Sequence, residues 1–205
     1  VTYDLAVVVP DKDIEQAIRG VAARPAALGI RPIEVAVLVH PHRDPGVYRT
    51  AEQLLQPLRR EASHALAVFD RAWEGAPSSD PLVLAAHVES RLHGAWGSRG
   101  RAVVIDPEVE VWVWSPSPHV DAELGWEGRN PNLREWLRAR GLWASGTLKP
   151  ADPKAALRAA LREVRKPPSS AIFARLAARV SLERCSDPSF LALRGILRHW
   201  FGSSD

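Results

Sequence analysis

Residues 101–114 read RAVVIDPEVEVWVW, and the assignment of this stretch decides the fold. Residues 102–105 are a continuous aliphatic run, too short for a helix and stopped by Asp106 and Pro107, the pattern of a strand buried on both faces. The run delivers three carboxylates at its end: Asp106, Glu108 and Glu110. Ligands and metals in an open α/β sheet sit outside the carboxyl ends of the strands, so acids grouped there are the first candidates for chemistry.

The remainder of the stretch admits two readings. Val109, Val111 and Val113 alternate with Glu108, Glu110, Trp112 and Trp114, as in a half-buried strand. Against this, a short polar residue followed by proline recurs before helix-like segments at Asp44-Pro45, Asp80-Pro81, Asn130-Pro131, Asp152-Pro153 and Asp187-Pro188. That is the signature of an N-cap followed by proline at the first helical position. Asp106-Pro107 is one more, and predicts a short helix over residues 107–114, with Glu108 and Trp112 on one face and Glu110 and Trp114 about 100° round from it. In the plainer reading Asp106 is only a cap and the glutamates favour the positive end of that helix.

Upstream, residues 5–9 form an aliphatic run of the same kind, stopped by Pro10, and a helix over 14–23 follows, capped by Asp11 or Asp13. Residues 33–39 make a second strand leading to His40-Pro41-His42-Arg43-Asp44, then a helix over 45–60 that buries Ala51, Leu54, Leu55 and Leu58. Residues 65–69 are a third strand ending on Asp70, and Asp80 opens a helix over 81–93. Four strands alternating with helices predict a parallel sheet with crossover helices on its faces. Beyond Asp106 the strand signal disappears. Helices are marked by Leu133, Trp136 and Leu137, by Leu157, Leu161 and Val164, by Ile172, Leu176 and Val180, and by a last segment over 188–201 stopped by Gly202.

Composition narrows the class. With 205 residues, 46% hydrophobic and 25% charged, the chain is long enough to bury a substantial core. No apolar run approaches a membrane span and residues 1–10 lack the regions of a signal peptide, so a cytoplasmic protein without a membrane partner is expected. The single cysteine, Cys185, excludes an internal disulfide and a cysteine metal cage, and reads as a packing residue. The net charge of +3 hides an asymmetry: residues 1–128 carry 12 basic against 18 acidic side chains, whereas residues 129–201 carry 15 against 5. Arg158, Arg162, Arg165 and Lys166 stack at helical spacing, as do Arg134 and Arg138, and such a stripe can track a phosphate backbone or remain simply solvated.

Collected by strand, the candidate site residues are Asp11 and Asp13, then His40, His42 and Asp44, then Asp70 and Glu74, then Asp106, Glu108 and Glu110. Carboxylates converging from separate strands repel one another unless a cation lies between them, and oxygen ligands without cysteine favour Mg²⁺ or Mn²⁺. Such ions activate water and clamp the oxygens of a phosphodiester. The histidines flanking Pro41 lack the spacing of a helical metal pair and read as loop residues bonded to backbone. Trp112 and Trp114 can stack on bases or pack in the core. No G-x-G-x-x-G, P-loop or nucleophile-elbow pattern is present.

The acidic turn after Val9, the third strand His-Ala-Leu-Ala-Val-Phe-Asp-Arg at 64–71, and Val-Ile-Asp-Pro-Glu-Val-Glu-Val-Trp-Val-Trp at 104–114 resemble TOPRIM-like proteins of bacterial antiphage defence loci. The likeness is greatest to the small TOPRIM-like component of methylation-associated defence systems, whose C-terminal motif resembles Ser-Leu-Glu-Arg-Cys-Ser-Asp-Pro-Ser-Phe-Leu-Ala-Leu at 181–193. The resemblance implies a TOPRIM-like α/β domain over residues 1–128, with a basic helical region over 129–205 packed on it. It also implies a Mg²⁺- or Mn²⁺-dependent nuclease or nuclease-derived effector, whose partners are nucleic acid and other proteins of the same defence system. TOPRIM sites hold the metal with a glutamate after the first strand and an Asp-x-Asp pair after the third. Here those positions read Pro10-Asp11 and Asp70-Arg71-Ala72, so Asp70 carries over directly. The expected catalytic set is Asp70, Glu108, Glu110 and Asp11, the metal ligands are Asp70, Glu108, Glu110 and Asp106, and the nucleic-acid contacts are Arg134, Arg138, Arg158, Arg162, Arg165 and Lys166. The alternative is a non-catalytic adaptor that keeps the fold and binds nucleic acid or other defence proteins.

Overall fold

In a computed structural model describing residues 2–202, the aliphatic runs form four strands. Strands β1 (Tyr3–Val9), β2 (Val35–Val39), β3 (Ala62–Asp70) and β4 (Gly100–Ile105) pair in the order β2-β1-β3-β4, all parallel. Period-two alternation divides each strand between two cores. Leu5, Val7, Val9, Leu66, Val68, Val103 and Ile105 face one, while Ala6, Val8, Ala65, Ala67, Phe69, Ala102 and Val104 face the other. Burial on both sides is why the strands read as unbroken apolar runs.

The crossovers are α1 (Lys12–Ala22) with the single turn α2 (Pro25–Leu28), α3 (Arg43–Leu55) and α4 (Pro81–Trp96). From β1 the chain steps to β2 on one side; from β2 it passes over β1 to β3 and then continues outward to β4. Right-handed connections therefore put α1 on one face and α3 and α4 on the other. Ile14, Ile18 and Val21 accordingly join the first core, and Ala51, Leu55, Leu84, Val88, Leu92 and Trp96 the second. The direction reverses between β1 and β3, which makes their carboxyl ends the crevice of the sheet.

The remaining chain is helical: α5 (Pro118–Leu124), α6 (Leu133–Ala139), α7 (Pro153–Glu163), α8 (Ala171–Arg179) and α9 (Pro188–Phe201). These helices cover the α1 face. Helix α8 lies so close to α1 that a Cβ on Gly20 would stand 2.7 Å from that of Ala177, and Arg24 donates to the carbonyls of Ala177 and Val180 at 2.8 and 2.6 Å. Helix α9 runs beside β4, with Leu193, Ile196, Leu197 and Phe201 in the same core as Leu5 and Val7. No helix among the described residues is long and apolar enough to cross a membrane.

Three of the six Asp-Pro and Asn-Pro pairs are N-caps: Asp80, Asp152 and Asp187 accept from backbone N–H groups of α4, α7 and α9, each with proline in the first turn. Three are not. Asp44 lies inside α3 and accepts from the Asp70 N–H at 2.9 Å. Asn130 gives way to Asn132, which forms a capping box with Glu135 on α6. The helix expected over 107–114 contracts to a 3-10 turn, Val109–Trp112, preceded by Glu108 in extended conformation (φ −152°, ψ 161°). The turn is set by packing, because Val109, Val111, Val113 and Trp114 all enter the core beneath the C-terminal helices.

At the start of α3, Gly46 fits against His40, whose Nδ1 accepts from the His42 N–H at 3.1 Å and whose Nε2 meets Thr50 Oγ1 at 3.0 Å. This is the backbone-bonded loop histidine expected, and burial pushes its pKa down, with His42 adding to the effect. A Cβ at position 46 would overlap the imidazole. Gly46→Ala should cost about 2–3 kcal/mol, the range for overpacking a tight contact, as read from urea unfolding midpoints.

Candidate functional site

Four loops bring carboxylates to the crevice. Asp70 is the last residue of β3, 6% exposed. Asp44 arrives from the first turn of α3, after β2, and fixes the Asp70 backbone through the bond to its N–H. Asp11 caps α1 after β1, its Oδ1 accepting from Asp13 and Ile14 at 3.0 and 3.1 Å. Glu108 and Glu110 come from the turn after β4, with Glu110 also 6% exposed.

The fields of these groups overlap. Burial raises the Asp70 pKa well above the usual aspartate range, and Asp44, Glu110, Asp11 and Glu108 push it further in the same direction. Asp44 is raised by burial and by Asp11, against the bond from Asp70. Asp13 is raised by burial and by Asp11. Glu110 is raised by burial, with Glu108 and Asp13 adding to the effect against the pull of a nearby ammonium. Asp70 Oδ1 and Glu110 Oε2 are buried and have no hydrogen-bond partner. Orphaned buried oxygens of this kind call for a proton or a cation.

The ammonium belongs to Lys154, the second residue of α7, which the sequence reading did not place here. Its Nζ lies 2.7 Å from Glu108 Oε2, as an ion pair out of hydrogen-bonding alignment, and 3.6 Å from Glu110 Oε1. Burial works against its charge, but contact with Glu108 and the fields of Glu110 and Asp70 outweigh it, and the Lys154 pKa rises. One signal pointed to it. Lysine in the first turn of a helix opposes the dipole, and its presence directly after an Asp-Pro cap implies an acidic partner.

Of the expected site residues, Asp70, Glu108, Glu110 and Asp11 are brought together, and Asp13 and Asp44 join them. Asp106, expected as a metal ligand, is instead ion-paired with Arg71 Nε and is half exposed. Glu74 is exposed. The donor chemistry suits a hard divalent ion, yet no group of three or more His, Cys, Asp or Glu among the described residues stands positioned to hold one.

Of the expected nucleic-acid contacts, Arg138, Arg158, Arg162 and Arg165 are exposed, but α7 ends at Glu163 and Arg165 follows at φ 56°, so the stripe expected through Arg165 and Lys166 does not continue along one helix face. Two are engaged within the fold. Arg134 donates to the Ser115 carbonyl at 3.3 Å and lies over the Trp143 ring, and Lys166 pairs with the buried Glu123, which also binds Arg175. The helical half thus uses part of its positive charge internally. Trp112 and Trp114 are packing residues: Trp112 packs edge-on against Phe190 and donates to Ser189 Oγ at 2.8 Å, and the buried Trp114 donates to the Pro153 carbonyl at 3.0 Å. Cys185 is half-buried beside this packing, and burial pushes its thiol pKa up.

Compared with known proteins, the chain matches no family model, no curated protein and no solved structure.

Proposed function

We propose that this protein is a TOPRIM-like, divalent-cation-dependent effector that acts on nucleic acid as part of a bacterial antiphage defence system. The observation that carries the reading is Asp70, buried with an unpartnered oxygen where the sheet changes direction, in the company of acids from all four strand ends. Asp70, Glu108, Glu110 and Asp11 are the residues that would hold Mg²⁺ or Mn²⁺. Bound there, the ion would supply charge neutralisation and water activation for phosphodiester hydrolysis. Asp44 keeps the end of β3 in place through the Asp70 N–H, and exposed Arg138, Arg158, Arg162 and Arg165 supply cations for a phosphate backbone. The defence context rests on the resemblance of the motifs at 64–71, 104–114 and 181–193.

A second reading, a non-catalytic adaptor that binds nucleic acid or other defence proteins, is favoured by two observations. Lys154 already offsets part of the Glu108–Glu110 charge. Ala72 stands where a TOPRIM pair has its second acid, and Arg71 between it and Asp70 is tied to Asp106.

Calorimetric titration with Mn²⁺ and Mg²⁺ separates the two. The effector reading expects saturable binding that is lost in Asp70→Ala and Glu108→Ala, together with metal-dependent cleavage of nucleic acid and loss of phage protection in both variants. The adaptor reading expects Asp70→Ala to keep protection, while reversal of Arg158, Arg162 and Arg165 to glutamate abolishes it and weakens nucleic-acid retention at low salt.

A further inference from the structure

Among the described residues, the crevice sets one ammonium, that of Lys154, against six carboxylates: Asp11, Asp13, Asp44, Asp70, Glu108 and Glu110. Two of their oxygens, on Asp70 and Glu110, are buried and unpartnered, and both side chains are more than nine-tenths buried. A single positive charge therefore leaves the cluster under-compensated. Lys154 is also the member of the cluster contributed by the helical half, its side chain is 36% exposed, and its ion pairs among the described residues are with the two glutamates. An ammonium on a flexible four-carbon stem can leave such a position for solvent without disturbing the helix that carries it.

We propose that Lys154 is a tethered counter-cation that exchanges with a divalent ion, the ammonium and the ion being alternative occupants of the Glu108–Glu110 pair. The inference rests on the reading of the crevice as a cation site. It explains why hard-oxygen donors converge while no three of them stand ready to hold a metal: the lysine keeps Glu108 and Glu110 turned to itself, and its departure frees both for the ion. The N-terminus of α7 then governs how tightly the crevice binds metal, so a partner that draws α7 or its exposed arginines away from the sheet would raise that affinity.

The test is Mn²⁺ binding, followed by electron paramagnetic resonance and calorimetry, on the full chain and on Lys154→Met and Lys154→Arg. Removing the competing charge should tighten Mn²⁺ binding about 10- to 30-fold in Lys154→Met, whereas Lys154→Arg, which keeps the charge, should stay within about threefold of the wild type. Wild-type binding with no tightening in Lys154→Met would overturn the exchange while leaving the cation site intact. No Mn²⁺ binding in any of the three proteins would overturn the cation site and the exchange with it. A readout on the unaltered protein guards against a variant that misfolds: titration with diamagnetic Mg²⁺ should shift the ε-methylene resonance of Lys154, and a resonance unmoved at saturation overturns the proposal.

Discussion

Replacing Asp70 by asparagine should raise the melting temperature of the metal-free protein at neutral pH by roughly 4–8 °C. The stabilisation is about 2 kcal/mol, the order seen when a poorly compensated buried charge gives way to a neutral group of the same shape, and a chain of this size moves about 2–4 °C per kcal/mol. The folded protein binds the Asp70 proton more tightly than the unfolded chain does, because burial and four neighbouring carboxylates raise its pKa. Between the unfolded and folded pKa values the native state holds the extra proton, so stability falls as pH rises through that window and is greatest below it. The asparagine side chain of the variant cannot titrate. The difference between Asp70→Asn and wild type should therefore grow from acid toward neutral pH, as read from thermal melts in EDTA across about pH 4–8. A difference that is flat or shrinks with pH would mean that Asp70 is compensated by something other than a proton. The same substitution should forfeit Mn²⁺ binding, so that stability and site chemistry move in opposite directions, as expected where a fold tolerates mutual repulsion for the sake of function.

The second large effect is at Trp114. The indole is 2% exposed, meets Trp143 edge-on at 5.4 Å and donates to the carbonyl of Pro153, the first residue of α7. Trp114→Ala should cost about 3–5 kcal/mol, lowering the melting temperature by on the order of 10 °C. Trp114→Phe keeps most of the volume and loses the hydrogen bond, so its cost should be near 1 kcal/mol. Because Lys154 follows Pro153, the milder variant should also loosen the ammonium at Glu108. A loss below about 1 kcal/mol in Trp114→Ala would show that α7 is not anchored through this ring.

The sheet was legible because both of its faces are buried: runs such as LAVVV at 5–9 and AVVI at 102–105 have no helical period, and the helices between them have one. The convergence of Asp11, Asp44, Asp70, Glu108 and Glu110 followed from the same reading, since parallel strands deliver their ends to one edge. Local rules failed where long-range packing intervened. Asp106-Pro107 looks like Asp80-Pro81, but the valines that follow are drawn into a core built with the C-terminal helices far along the chain, and no capping signal overrides that burial. Lys154 lies far along the chain from Glu108, so the pairing has no local trace beyond a cation at the wrong end of a helix dipole. Arg134 kept its helical position on α6 and still turned inward to the carbonyl of Ser115, whereas α7 stops at Glu163, and Lys166, just past it, reaches the carboxylate of Glu123. Spacing shows which side chains share a face, and it is silent on what that face meets.

The packing of α9 beside β4, and the bond from the Arg31 N–H to the Phe201 carbonyl, tie the last described helix back to the sheet and to a segment from the first part of the chain. During synthesis this has a cost in time. Leu5, Val7 and Val9 are made before α1, which covers part of their side of the sheet, yet the cover is not complete until α8 and α9, residues 171–201, have been translated. For most of that interval the nascent chain leaves part of this β-surface uncovered, a substrate for chaperones and a seed for aggregation. Expression at lower temperature, or with a holdase in excess, should therefore improve the yield of folded protein more than any change at the acidic crevice.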